Sequence, residues 1–193
     1  MSIVLQFSSN AGKPGSSPDA LSFKQILLEP RDGHRVVLVM VDDDEEDCML
    51  VNEALKQACP GCTFRCVGDG DQLLDYLHRS SRDNSDHEST PPPDIILLDL
   101  NMPRMDGRKV LKILKEDPLF RAIPVVILTT SKELEDVKAC YDLGANSYIT
   151  KQSSFEEMVL CVKTLMEYWI EVATLPRKKT RRDVPDDEPG NFS

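Results

Sequence analysis

The chain lacks any apolar run approaching the length of a membrane span, which excludes a membrane-spanning core. Its N-terminus has neither a charged leading stretch nor a long apolar one, so no secretory signal is expected. Cations are in the minority. There are 23 Lys and Arg against 33 Asp and Glu, and a net charge of −10 argues against broad nucleic-acid binding and against anionic membrane surfaces. No Gly-rich loop is present to cradle a nucleotide. Histidine is scarce, and neither His78 nor His87 has a ligand partner at metal spacing, so both read as surface residues. The six cysteines, at 48, 59, 62, 66, 140 and 161, mostly sit inside apolar patterns, as reduced core thiols do, which points to a cytosolic protein. Cys59-Pro60-Gly61-Cys62, with Cys66 following, suggests zinc, but no second paired motif follows, and turn and core positions are the better reading.

What is present centres on Pro93-Asp94-Ile95-Ile96-Leu97-Leu98-Asp99-Leu100-Asn101-Met102-Pro103. A short apolar run between prolines reads as a buried strand, and it ends abruptly in Asp99. Val36 to Val41 is a second such run, ending in Asp42 and Asp43. One acid after one strand is an ordinary loop acid. Two strands delivering carboxylates to one sheet edge suggest a divalent cation site with one acid left over for chemistry.

At 193 residues and 40% hydrophobic content, the chain is one domain with ends to spare. Residues 1–34 read as an N-terminal extension: a short strand at Ile3 to Phe7, a Gly/Pro/Ser linker at Ala11 to Asp19, and a short helix at Leu21 to Leu28. Residues 35–172 are the domain, and 173–193 a charged, flexible tail, basic at 177–182 and then mostly acidic. Within the domain, Glu45, Glu46 and Asp47 are acids of a first helical turn, favoured by the macrodipole, and Pro60-Gly61 stops that helix. Thr63 to Val67 is a strand, and Leu73, Leu74, Tyr76 and Leu77 mark a second helix. Ser80 to Pro93 reads as a surface loop. Asp106 caps a helix from Arg108 to Glu116, which Pro118 ends. Ile123 to Leu128 is the fourth strand, stopping at Thr129. Glu133 to Leu143 is helical, with Leu134, Val137 and Tyr141 on one face, and Gly144 signals its end. Ser147 to Thr150 is a fifth strand ending at Lys151. The last helix carries a core stripe of Phe155, Met158, Val159, Val162, Leu165, Met166 and Trp169, leaving Leu160 and Tyr168 as surplus apolar surface.

Five strand–helix units mean an α/β fold: a doubly wound, five-stranded parallel sheet, for which the common flavodoxin-like order is 2-1-3-4-5. In that order Asp42 and Asp43 face Asp99, with Thr129 and Lys151 on the same edge. Two carboxylates about 4 Å apart repel by roughly 4 kcal/mol at an effective dielectric near 20, so three require a cation. Oxygen ligands suit Mg²⁺ or Mn²⁺. A carboxylate is also a nucleophile toward phosphorus, and the dianion it gains needs the positive charge of a metal and Lys151 and the hydroxyl of Thr129.

These residues, in order and spacing, resemble the receiver domain of two-component response regulators. The match runs through Asp42-Asp43, the block Leu97-Leu98-Asp99-Leu100-Asn101-Met102-Pro103-Arg104-Met105-Asp106-Gly107, Thr129, and Tyr148-Ile149-Thr150-Lys151. The resemblance implies that Asp99 accepts a phosphoryl group from a histidine kinase. It implies that Asp42, Asp43, Asp99 and the backbone carbonyl of Asn101 hold Mg²⁺, that Thr129 and Tyr148 form the switch, and that Lys151 binds phosphoryl oxygen. Asp71 to Leu77, Leu128-Thr129-Thr130-Ser131 and Tyr141 to Asn146 are similar to the single-domain regulators that partner phytochrome-type kinases. The family implies a homodimer through the fourth and fifth helices. It usually has a cis proline after the lysine. Here Gln152 stands there, and a cis bond before a non-proline costs about 3–4 kcal/mol, so a trans bond is expected, leaving the placement of Lys151 and the lifetime of the phosphorylated state open. Too few residues follow Trp169 for a DNA-binding output domain, so output is expected through binding or phosphorelay. Two rivals are an aspartate-nucleophile phosphatase, which needs a second acid where Asn101 stands, and a constitutive docking module on the same fold.

Overall fold

The computed structural model describes residues 35–81 and 90–176. The strand, linker and helix expected before residue 35, most of the expected loop after Ser81, and nearly all of the charged tail lie outside the described residues.

Among the described residues, five strands alternate with five helices: β1 (Val37–Val41), α1 (Glu45–Ala58), β2 (Thr63–Val67), α2 (Gly70–Ser80), β3 (Ile95–Leu98), α3 (Gly107–Glu116), β4 (Val125–Thr129), α4 (Leu134–Asp142), β5 (Ser147–Thr150) and α5 (Phe155–Glu167). The sheet is parallel throughout, in the order β2-β1-β3-β4-β5. Strands β1, β3 and β4 are buried along their whole length, which is why they read as unbroken apolar runs rather than alternating ones. Alternate residues feed two cores. Leu38, Met40, Leu97 and Leu128 pack under α1 and α5, whereas Val39, Val41, Ile96, Leu98 and Ile127 pack under α2, α3 and α4.

The caps are those that short acidic and hydroxyl side chains provide. Asp44 accepts from the backbone N–H groups of Glu46 and Asp47, Asp69 from Gln72, Asp106 from Arg108, and Ser154 from Glu157. Gly144, at φ +94°, turns the chain out of α4 in the left-handed region that glycine occupies without strain. The chain continues past α5 in a π-helical turn, Tyr168–Val172, which rolls Ile170 into the core.

Several expectations are corrected. Four cysteines read as reduced thiols are paired. Cys48 joins Cys66, tying the first turn of α1 to β2, and Cys59 joins Cys62 across the Pro60-Gly61 turn, while Cys140 and Cys161 are free. The parallel register of β1 and β2 carries Cys66 beside α1, with the Cα atoms 6.2 Å apart, and sequence separation alone does not reveal this. His78 is not a surface residue. Half-buried on α2, it meets the Phe120 ring edge-on, with its Nδ1 buried. The ends of the expected surface loop are also held. Ser80 and Ser81 are buried and donate to the Leu77 carbonyl, and Tyr76 donates to that of Pro91. On α4, Leu134 and Tyr141 face outward and the buried residue is Cys140. A nine-residue helix at the sheet's end needs only a narrow stripe against β4 and β5.

Candidate phosphoacceptor site

The ends of β1 and β3 place three acids together. Backbone ladder bonds fix both strand ends: Asp42 N–H donates to the Val67 carbonyl, and Asp99 N–H to the Val41 carbonyl, each at 3.0 Å. The side chains then turn the same way. Asp44 N–H donates to Asp42 Oδ1 at 3.0 Å, and Asn101 N–H donates to Asp99 Oδ2 at 3.1 Å. Each buried acid thus has one oxygen held by the backbone N–H two residues on. The other oxygens, Asp42 Oδ2 and Asp99 Oδ1, are buried without a hydrogen-bond partner. Carboxylate oxygens of Asp42, Asp43 and Asp99 lie within 4.8 Å of one another. Asp43 is exposed, giving the cluster an open side. An all-oxygen donor set with buried, unsatisfied lone pairs fits a hard divalent cation.

A close backbone approach shapes the loop after Asp99. The Gly107 N–H donates to the Leu100 carbonyl, and a Cβ on Gly107 would lie 2.1 Å from the Asp99 carbonyl oxygen. Glycine is required there. Arg104, at φ 70°, carries the loop's one left-handed non-glycine residue and pairs with Asp69.

Lys151 reaches in from the end of β5, where its N–H donates to the Thr129 carbonyl at 2.7 Å. Its ammonium lies 2.7 Å from Asp42 Oδ2, 3.8 Å from Asp99 Oδ1 and 2.5 Å from Asp47 Oδ2, and only the last contact has hydrogen-bond alignment. Burial pulls the lysine down, but the carboxylates of Asp42, Asp47 and Asp99 outweigh it and hold Lys151 above its ordinary value. Burial pushes the Asp42 carboxyl up, against the pull of Lys151. The described residues contain no cis peptide bond, so Lys151–Gln152 is trans as expected, and the Gln152 amide donates to the Thr150 carbonyl.

Thr129 is fully buried at the end of β4. Its Oγ1 accepts from the Ser131 N–H at 3.5 Å, and the Tyr148 hydroxyl donates to the Ser131 carbonyl at 3.1 Å. Ser131 therefore joins the two. Its hydroxyl in turn donates to Asp136 at 2.6 Å, and Asp136 pairs with Arg108. Asp42, Asp43, Asp99, Asn101, Thr129 and Lys151 lie along this edge, and Tyr148 reaches it from β5 through its hydroxyl. Asn101 is present as an exposed residue whose N–H serves Asp99. Asp47 and Ser131 were missed as site residues.

The model of the response regulator receiver domain matches residues 37–163. Among curated proteins, the chain is 37% identical over 140 residues to response regulator Rcp1 of Synechocystis sp., covering 72% of this chain and 92% of that one. Among solved structures it is similar to a phosphorylated cyanobacterial phytochrome response regulator, RcpA, at 38% identity and TM-score 0.66, covering 75% of this chain and 100% of that one. The Mn²⁺-bound form of Rcp1 has 37% identity and TM-score 0.64, with 74% and 99% covered. A response regulator in red light signaling of R. palustris has 33% identity and TM-score 0.67, with 74% and 99% covered. The sheet order, the acids at the ends of β1 and β3 and these likenesses agree, and the chain belongs to the response regulator receiver domain family.

Proposed function

We propose that Asp99 accepts a phosphoryl group from a histidine kinase, and that the chain signals by the change of binding surface that follows. The observation that carries this reading is the cluster of Asp42, Asp43 and Asp99 carboxylates, in which Asp99 Oδ1 is buried without a hydrogen bond and the Lys151 ammonium lies 2.7 Å from Asp42 Oδ2 and 3.8 Å from Asp99 Oδ1. The carboxylate of Asp99 attacks phosphorus, an O–P bond forms, and the P–N bond to the donor imidazole breaks with its electron pair leaving on nitrogen. Asp42, Asp43, Asp99 and the carbonyl of Asn101 would hold Mg²⁺ or Mn²⁺, which supplies charge neutralisation and a template for phosphoryl oxygen. Lys151 adds a fixed positive charge and Thr129 a hydroxyl donor. Turning that hydroxyl toward a phosphoryl oxygen gives up its contact with Ser131, to whose carbonyl Tyr148 is bonded, so the loop before α4 and the Tyr148 ring move together. The chemistry the chain catalyses is confined to its own phosphorylation and dephosphorylation.

The likeness to phytochrome response regulators supports a phytochrome-type kinase as partner. Such a donor draws on cytoplasmic ATP, and we assign the chain to the cytoplasm on that ground. We assign the domain to 35–172, with residues 1–34 and 173–193 as extensions. Homodimerisation uses the side of α4, β5 and α5, supported by exposed Leu134, Tyr141, Leu160 and Tyr168 and by a groove lined by Ile149, Leu165 and Trp169. Sedimentation that finds a monomer with and without a phosphoryl analogue removes the dimer. Constitutive docking alone leaves the paired buried acids without a purpose, and a phosphatase lacks an acid at Asn101.

The test is intact mass after incubation with acetyl phosphate and with a phosphorylated histidine kinase, with and without Mg²⁺. One phosphoryl group is expected on the wild type only with Mg²⁺, and none on Asp99→Asn. Failure of both donors refutes phosphoacceptance.

A further inference from the structure

Asp47 stands in the first turn of α1, one of three consecutive acids there, and its place in the sequence is explained by the helix macrodipole alone. Its side chain does something the other two do not. Among the described residues, it accepts the one aligned hydrogen bond of the Lys151 ammonium, across 104 residues of sequence. Lys151 has 8% of its side chain exposed, so the ammonium has little water to fall back on. Its other carboxylate neighbours, Asp42 and Asp99, both belong to the cluster suited to a cation, and Asp47 does not.

The consequence is a competition. A cation entering the cluster draws on the same Asp42 Oδ2 that lies 2.7 Å from Lys151. If Asp42 and Asp99 were its only anchors, the ammonium would have to be displaced from Asp42 before metal could bind, and would then be loose when phosphoryl oxygen needs it. A carboxylate outside the cluster removes that conflict, because the lysine keeps a partner whether Asp42 is taken or not. The bond after Lys151 is an ordinary trans peptide to Gln152, and the Gln152 amide is turned back to the Thr150 carbonyl, so it does not hold the ammonium.

We propose that Asp47 is a positioning residue for Lys151: it holds the ammonium beside Asp99 while leaving Asp42 to the metal. This rests on the reading of Asp99 as phosphoacceptor and of the acid cluster as its cation site.

The test measures Mn²⁺ affinity by the paramagnetic resonance of free Mn²⁺, on the full chain, in wild type, Asp47→Asn, Asp47→Glu, Lys151→Met and the double variant Asp47→Asn/Lys151→Met. With Lys151 present, Asp47→Asn is expected to weaken Mn²⁺ binding about fivefold, because the released ammonium settles on Asp42 and Asp99. Asp47→Glu, which keeps the charge on a longer arm, stays within about twofold of wild type. In the Lys151→Met background the same Asp47→Asn change moves affinity by less than about twofold, because its effect passes through the lysine. Equal losses in the two backgrounds overturn the proposal, since they would mean that Asp47 acts on the metal only as one more negative charge. No loss with Lys151 present overturns it as well. Wild type that binds Mn²⁺ and takes a phosphoryl group while Asp47→Asn matches it refutes Asp47 alone. Wild type that does neither refutes the site reading together with it.

Discussion

The two halves of the functional edge are built differently. The acid half hangs from β1 and β3, buried along their length and paired in register from Leu38 with Ile95 to Val41 with Leu98. Asp42 and Asp99 are each oriented by the backbone N–H two residues on, a short and local constraint. The other half hangs from the end of β4, from α4 and from β5. Strand β5 is half-buried throughout, α4 has a single buried residue and no side-chain N-cap, and its first turn is tied down by Asp136 to Ser131 and Arg108. Elements that move in response to a ligand come from the low-stability end of a structure. The rigid half is suited to holding charge in fixed places, and the looser half to carrying a signal outward.

Three substitutions sharpen this contrast. Leu98→Ala removes a fully buried side chain under β3 and should destabilise the whole domain by about 2–5 kcal/mol in urea unfolding, with no change in denaturant slope. A smaller loss would mean the acid half is less well packed than its burial implies. Tyr148→Phe deletes the hydroxyl bond to the Ser131 carbonyl and should cost about 1 kcal/mol while leaving phosphoryl acceptance within twofold. A collapse of acceptance would join the two halves more tightly than described. The smallest effect is a pH dependence at α4. The Ser131 hydroxyl, and after it Arg108, hold Asp136 below its ordinary value of 3.8. A carboxyl depressed in the folded state contributes stability that is present above its unfolded value and lost as pH falls through its folded one. The stability difference between wild type and Asp136→Asn should therefore be constant at neutral pH and shrink as pH falls below 3.8. A difference that grows on acidification would contradict the assigned network.

The sheet and its acids were legible because buried parallel strands write themselves as continuous apolar runs, and each ends in the residue it presents. Asp42, Asp43, Asp99, Thr129 and Lys151 follow from strand order alone. What was illegible depends on neighbours distant in sequence. Asp47 reads as a helix-start acid because its partner Lys151 lies just past β5, 104 residues on. Ser131 carries no pattern of its own, because its contacts to Thr129 and Tyr148 run through its backbone. Cys48 and Cys66 each fit an apolar pattern, and only the packing of α1 against β2 brings them together. Asp94 is the converse: an acid at a strand boundary that is buried at the opposite edge, where it accepts the Val37 N–H at 2.8 Å. Past α5 the π-turn departs from the helical spacing of the stripe, so that Ile170 is buried.

The most direct test of this division is amide hydrogen exchange on the full chain, with and without acetyl phosphate and Mg²⁺, in wild type and Asp99→Asn. Phosphorylation should change protection in residues 129–151 of the wild type, leave Val37–Val41 and Ile95–Leu98 unchanged, and do nothing to the variant. A change confined to β1 and β3, or one that persists in Asp99→Asn, would contradict it.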